Sequence, residues 1–343
     1  MLKLYTNTDF LTETYRRQVF PLLFDLVFKP NEALLSLYQI TNTITEADVV
    51  VFPVDYAVFI KHQQASQELL QLAKQHQKPL WIYTAGDYGF TNYIKNSYTF
   101  RLGGFDSKLP ETTFILPSFI NDPYTTFLDS EFKSLEKTEQ PAIGFVGHAQ
   151  LGFKKWLKEL VNYLKYTVKR RFKGWLVDKQ SFYPSSIKRA RYLQTLAVND
   201  KVKTNFILRN QYRAGLHSET TRRDSSIAFY DNIYKNAYTF CIRGVGNFSV
   251  RFYETLVVGR IPILLNTDCR LPLADTIDWQ KHCVIIDAKS KVSMVKQILD
   301  FDQSLSEAEF KALQQANRDL WLQYLQRDAY FKAIYKQFKA KKI

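Results

Sequence analysis

Apolar residues along this chain fall into short continuous runs closed by turn formers. Val49-Val50-Val51-Phe52 ends at Pro53, Thr113-Phe114-Ile115-Leu116 ends at Pro117, and Leu80-Trp81-Ile82-Tyr83 runs into the turn-like Ala85-Gly86-Asp87-Tyr88-Gly89. Leu2-Lys3-Leu4-Tyr5 opens the chain as a further short strand. Runs of this kind suit parallel strands covered on both faces. Between them, Gln64 to Gln77 carries Leu69, Leu70, Leu72 and Ala73 at helical spacing. The alternation predicts an α/β unit with a parallel sheet.

The polar stretch Asp129 to Gln140, closed by Pro141, predicts a boundary. Strands are then expected at Ala142–Val146, Phe206–Arg209, Tyr238–Ile242, Ile261–Leu265 and Cys283–Ile286. Helices are expected at Phe153–Arg171, Ser226–Lys235, Ser249–Val258, Val292–Leu299 and Ser306–Gln326, with Gly259 as the C-cap of the third. Two doubly wound domains follow, over 1–135 and 141–325, with a ligand cleft between them and a basic C-terminal helix or tail over 326–343.

Composition narrows the class. Hydrophobic residues make up 46% of the chain, which excludes disorder. No apolar run approaches the roughly 18 residues that cross a bilayer, and the first ten residues do not read as a secretory leader. Cys241, Cys269 and Cys283 have neither metal-ligand spacing nor an even count, so a reducing compartment is expected. The net charge is +14, and residues 151–223 hold 18 Lys/Arg against 4 Asp/Glu, enough to carry the whole excess. Such a segment attracts an anionic partner, or else is a solvated basic face without one.

The densest chemical signal is Cys241-Ile-Arg243-Gly244-Val-Gly246-Asn247-Phe-Ser249-Val-Arg251-Phe-Tyr-Glu254. A strand ends, a glycine turn follows and a helix starts at a good N-cap, Ser249. The new helix end offers free N–H groups and a positive dipole, and Arg243 and Arg251 flank it with forks that match phosphate oxygens. A diphosphate is the anion this suits. Glu254, about one and a half turns into the helix, could accept from both hydroxyls of a ribose. The G-x-G-x-x-S spacing is neither a dinucleotide fingerprint nor a Walker A loop.

The run from Arg243 through Pro262, continued by Thr267-Asp268-Cys269-Arg-Leu271-Pro272 to Trp279, resembles the signature of the exostosin family of glycosyltransferases. The resemblance is close from Tyr238 to Ile286 and looser at Phe145–His148 and Phe206–Tyr212. It implies a GT-B fold, two Rossmann-like domains facing across a cleft. It also implies inverting transfer from a nucleotide sugar, usually UDP-linked, to a glycan or glycoconjugate hydroxyl, with no cofactor and no essential metal. On that basis Arg243 and Arg251 contact the diphosphate, Ser249 and the amides around Gly244, Gly246 and Asn247 support it, and Glu254 holds the ribose. GT-B fucosyltransferases use a similar helix with a Glu, which leaves GDP open.

Three residues outside the motif are candidates. Arg209, ending a strand, is a further phosphate ligand or a surface ion-pair partner. His148, after the first strand of the second domain, touches the donor, assists proton transfer or is a plain loop histidine. Asp87, in its Gly-Asp-Tyr-Gly turn, is a candidate base for the acceptor hydroxyl or a turn-stabilising carboxylate. The basic segment and Lys-rich tail suggest a cytoplasmic protein peripherally held by anionic lipid or an acidic glycan. The competing readings are a nucleic-acid- or polyanion-binding protein, for which no recognised motif speaks, and a sugar-nucleotide-binding relative without catalysis.

Overall fold

Val49, Val50 and Val51 are all essentially without solvent contact, so the run that reads as a doubly covered strand is one. The computed structural model describes residues 1–209 and 219–340. Among these, six strands form a first parallel sheet: β1 (Leu2–Thr6), β2 (Tyr38–Thr41), β3 (Val49–Val51), β4 (Leu80–Thr84), β5 (Ser97–Arg101) and β6 (Thr113–Ile115), in the order β2-β1-β3-β4-β5-β6. A second parallel sheet contains β7 (Ala142–His148), β8 (Lys203–Arg209), β9 (Tyr238–Cys241), β10 (Ile261–Asn266) and β11 (Val284–Asp287), in the order β11-β10-β9-β7-β8. Crossovers connect the strands, as parallel pairing requires; many are α-helical, whereas β4 passes to β5 through a loop without a helix. This is the α/β GT-B layout expected from the sequence.

The helices α1 (Pro21–Val27), α2 (Glu32–Leu35), α3 (Tyr56–Phe59) and α4 (Gln63–Gln75) serve the first sheet. The second has α5 (Phe153–Phe172), α6 (Ser185–Ala197), α7 (Glu219–Lys235), α8 (Val250–Val257), α9 (Met294–Gln303) and α10 (Glu307–Leu320). Gly259, at φ +73°, closes α8 as its position in the sequence predicts. A Ser306–Glu309 capping box opens α10.

The last helix joins the first lobe. Residues 327–340 form α11 (Arg327–Ala340), which crosses back onto the first sheet. Phe331 packs against Phe20, Phe338 against Trp81, Tyr98 and Phe114, and the Tyr38 hydroxyl donates to the Phe331 carbonyl at 2.7 Å. The lysines hid this: the buried positions Ala329, Tyr330, Phe331, Ile334 and Phe338 are the amphipathic stripe, and the charges take the other face. Asn210, Gln211 and Tyr212, part of the looser resemblance, lie outside the described residues, as does the rest of 210–218.

Candidate functional site

The C-terminal ends of β7 and β8 and the start of α8 meet at one point. Arg251 is the second residue of α8; its Nη2 donates to the Val146 carbonyl at 2.7 Å and its guanidinium lies 4.3 Å from the Phe145 ring centroid. Gly147 permits this approach, since a Cβ there would sit 2.9 Å from Arg251 Nη2. Arg209, ending β8, donates from Nη2 to the Ser225 carbonyl at 2.8 Å. Burial lowers the pKa of both arginines, and for Arg209 the neighbouring charge of Arg251 adds to this. Two cations are thus held close together, half out of water.

Glu254 lies one turn further along α8. Burial pushes its carboxyl up to about 7, against the opposing pull of Arg251. Among the described residues it has no hydrogen-bond partner. It faces a cavity of about 510 Å³ lined also by Phe127, Arg209, Arg222, Ser225, Ser226, Phe229 and Tyr230. The volume is in the range of small-molecule sites, and two arginines, one acid and three aromatic rings share its wall. Arg222, Phe229 and Tyr230 come from α7 and were not singled out by the sequence. The pair Arg222-Arg223 inside the basic segment was the available signal.

Arg243 goes elsewhere. It is 5% exposed, with its guanidinium 4.6 Å from the Tyr183 ring centroid and 5.1 Å from that of Phe105. Its Nη2 donates to Gln180 Oε1 and to the Val245 carbonyl, and its Nε is buried without a partner. Burial lowers its pKa as well. The turn beyond it is largely spent on joining the two lobes. A Cβ at Gly246 would collide with the Asp87 carbonyl, whereas one at Gly244 would meet open space. The Asn247 side chain donates to the carbonyls of Gly104, Thr267 and Asp268 and accepts from Thr267 Oγ1, so it bolts loops together and is not free for a ligand. Ser249 occupies the N-cap position of α8 with extended backbone, but its hydroxyl makes no capping bond.

Asp87 therefore lies directly against the glycine turn. It lines a second cavity, of about 210 Å³, with Asp55, Tyr56, Tyr88 and Trp175. The surrounding protein raises the pKa of Asp87 by desolvation, and that of Asp55 likewise, although the latter accepts from the Ala85 amide at 2.7 Å. The charge of Arg243 is felt at the Tyr88 hydroxyl, where it opposes the upward shift caused by burial. Asp55, missed in the sequence, follows Pro53 at the start of a short helix. His148 lies beside the Arg209 end of the arrangement: its Nδ1 is 3.0 Å from the Arg209 carbonyl, and its own carbonyl accepts from Arg189 Nη1 at 2.7 Å. The structure thus gathers Arg209 and Glu254 at one cavity with Arg251 behind them, and sets Asp87 with Gly246 and Arg243 at the lobe interface.

The Exostosin GT47 domain family matches residues 28–300. An exostosin-1 homolog of Caenorhabditis elegans is 30% identical over 107 residues, 31% of this chain and 25% of the relative. Human exostosin-like 1 is 35% identical over 86 residues, 25% of this chain and 11% of the relative. The match thus spans a quarter or less of either relative's length. Among solved structures, a glycosyltransferase from Rickettsia africae aligns over 98% of both chains at 13% identity, with a TM-score of 0.40.

Proposed function

The chain belongs to the Exostosin GT47 family, and on that premise we propose that it is an inverting glycosyltransferase, moving a sugar from a UDP-linked donor to a hydroxyl of a glycan or glycoconjugate. The observation that carries this reading is Glu254, a desolvated carboxyl on α8 without a hydrogen-bond partner among the described residues, facing the same cavity as Arg209 and Arg222 with Arg251 behind it. An acid among arginines suits a ligand with diol and diphosphate on one body. Glu254 accepts from the ribose hydroxyls, and the arginines with the amino end of α8 take the phosphate oxygens. Phe229 and Tyr230 supply ring faces for the base.

In the proposed reaction the acceptor oxygen attacks the anomeric carbon, the bond to the diphosphate breaks, and the leaving charge is met by Arg209, Arg222 and Arg251. This device uses fixed cations and requires no metal. Asp87 takes the proton from the acceptor hydroxyl; its raised pKa, caused by desolvation, makes it a better base than a solvated carboxylate. Arg243 acts by holding the turn that abuts Asp87.

Calorimetric titration with UDP and GDP in the presence of EDTA tests the donor site. Binding of UDP is expected, weakened about 10- to 100-fold in Glu254→Gln. Turnover of UDP-sugars with a panel of glycan acceptors, read by NMR of the new linkage, tests inversion. Absence of nucleotide binding, or binding only when manganese is restored, overturns the donor reading. Retention of anomeric configuration overturns the mechanism.

A further inference from the structure

Helix α5 is built inside out. Its only fully buried residue is Tyr166, and the half-buried Lys155, Glu159, Leu160, Tyr163 and Arg170 make up the rest of the inward side. The opposite side is aliphatic and aromatic: Phe153 is 74% exposed, Leu157 45%, Val161 41%, Leu164 52%, Val168 47% and Phe172 74%. At roughly 100° per residue, these six fall within about 100° of the helix circumference. A surface helix ordinarily turns such a stripe to the core. Here the stripe is left outward over the full helix, far beyond the scattered apolar side chains of an ordinary surface.

The stripe has a charged border. Lys154, Lys158, Lys165 and Lys169 follow one edge, Arg171 and Lys173 close its end, and all six are exposed. The one acid of the helix, Glu159, faces inward beside Lys155. Trp156, 36% exposed, stacks on Phe153 at 6.0 Å, and Trp175, 40% exposed, follows the helix end. No helix among the described residues is long and apolar enough to cross a membrane.

We propose that α5 docks this protein on the surface of an anionic lipid bilayer, lying in the interface plane with Phe153, Leu157, Val161, Leu164, Val168 and Phe172 in the acyl boundary and its lysines among the headgroups. An apolar face of this length beside an acid-free basic edge matches the two layers that such a bilayer presents, acyl chains below and negative headgroups above. A soluble acidic glycan would use the lysines but leave the six apolar side chains in water. The inference is independent of the proposed activity. It also gives part of the charge of residues 151–223 an address: among the described residues, α5 and its end carry six of the twelve exposed basic side chains in one strip. Trp175 lines the Asp87 cavity as well, so docking on this face sets that cavity beside the interface.

The test is co-sedimentation of the full chain with vesicles of phosphatidylcholine alone and with about 30 mol% phosphatidylserine, at low and physiological salt. Wild type is expected to bind the anionic vesicles at least about 10-fold more tightly, with salt reducing the difference, and its tryptophan emission should shift to the blue. Phe153→Ser/Leu157→Ser/Leu164→Ser/Phe172→Ser, all exposed positions, should abolish sedimentation while the melting temperature stays near that of wild type. Lys158→Glu/Lys165→Glu should remove the anionic preference. Equal sedimentation with both vesicle types, or wild-type sedimentation by the quadruple serine variant, overturns the proposal. So does an absence of vesicle binding together with either salt-sensitive binding to heparin or a dimer in solution that the serine variant dissolves.

Discussion

Arg101 and Asp178 join the two lobes through a salt bridge: Arg101 Nη1 donates to Asp178 Oδ2 across 2.7 Å, with the arginine side chain 1% exposed. The same guanidinium donates to the carbonyls of Gly103 and Tyr88 and to Thr91 Oγ1, while Asp178 also accepts from the Thr91 amide. Gly89, at φ +58°, lies over the guanidinium where a Cβ would not fit. The loop around Asp87 is thereby fixed to the segment that follows α5. Removing the acid strands a buried cation. Asp178→Ala is expected to cost about 3–5 kcal/mol in urea unfolding, and a loss below about 1 kcal/mol would show the pair to be dispensable.

The two glycines of the turn after β9 should behave in opposite ways. Gly246→Ala drives a methyl group into the Asp87 carbonyl and must push the lobes apart; a loss of about 2 kcal/mol or more is expected, with loss of turnover. Gly244→Ala meets nothing and should stay within about 0.5 kcal/mol of wild type. Paired thermal melts and activity assays read the contrast.

Glu254 should imprint itself on the pH dependence of stability. Its folded pKa, about 7, lies above the ordinary 4.5, so the native state retains a proton that the unfolded chain has lost. Its contribution is complete below about 4.5 and disappears as pH rises to about 7, a change of roughly 3 kcal/mol. Glu254→Gln should flatten urea-derived stability between these limits and be the more stable protein at pH 8. Parallel curves for the two proteins would contradict the desolvated carboxyl.

Thiol reactivity offers a further check. Burial pushes Cys241 up to about 12 and Cys269 up to about 11, and it raises Cys283 well above the ordinary thiol range. The native protein should react slowly with a chromogenic disulfide at pH 8, and all three thiols should react at once in guanidinium. A fast native thiol would mean that the loop carrying Cys269 opens readily.

Continuous apolar strands such as Val49–Val51 and Ile261–Leu265 are legible because burial on both faces leaves no room for polar residues. Ser97–Arg101 is not, because its buried Ser97, Thr99 and Arg101 are satisfied by partners such as Asn92, Gly103 and Asp178 that no local pattern reveals. In the candidate site, Arg251 and Glu254 could be read together because one helix carries both. Arg222 and Tyr230 could not, since α7 has no clear apolar stripe to orient it. Asn247 was assigned to the ligand by its place in the motif; the carbonyls that occupy it belong to loops distant in the chain. Arg243 follows the same logic, its rings supplied by Phe105 and Tyr183.

The return of α11 to the first sheet has a consequence for biosynthesis. Phe20, Tyr38, Trp81 and Phe114 receive their covering rings from Phe331, Tyr335 and Phe338, which follow the strands of the second sheet in the chain. At about 5–20 residues per second, roughly 10–40 s separate completion of β6 from the arrival of α11. During that interval the first lobe presents an unfinished aromatic surface while the second lobe is already being made. The first lobe therefore lacks part of its cover until the strands of the second sheet have been made, and removal of residues 327–340 leaves that aromatic surface uncovered.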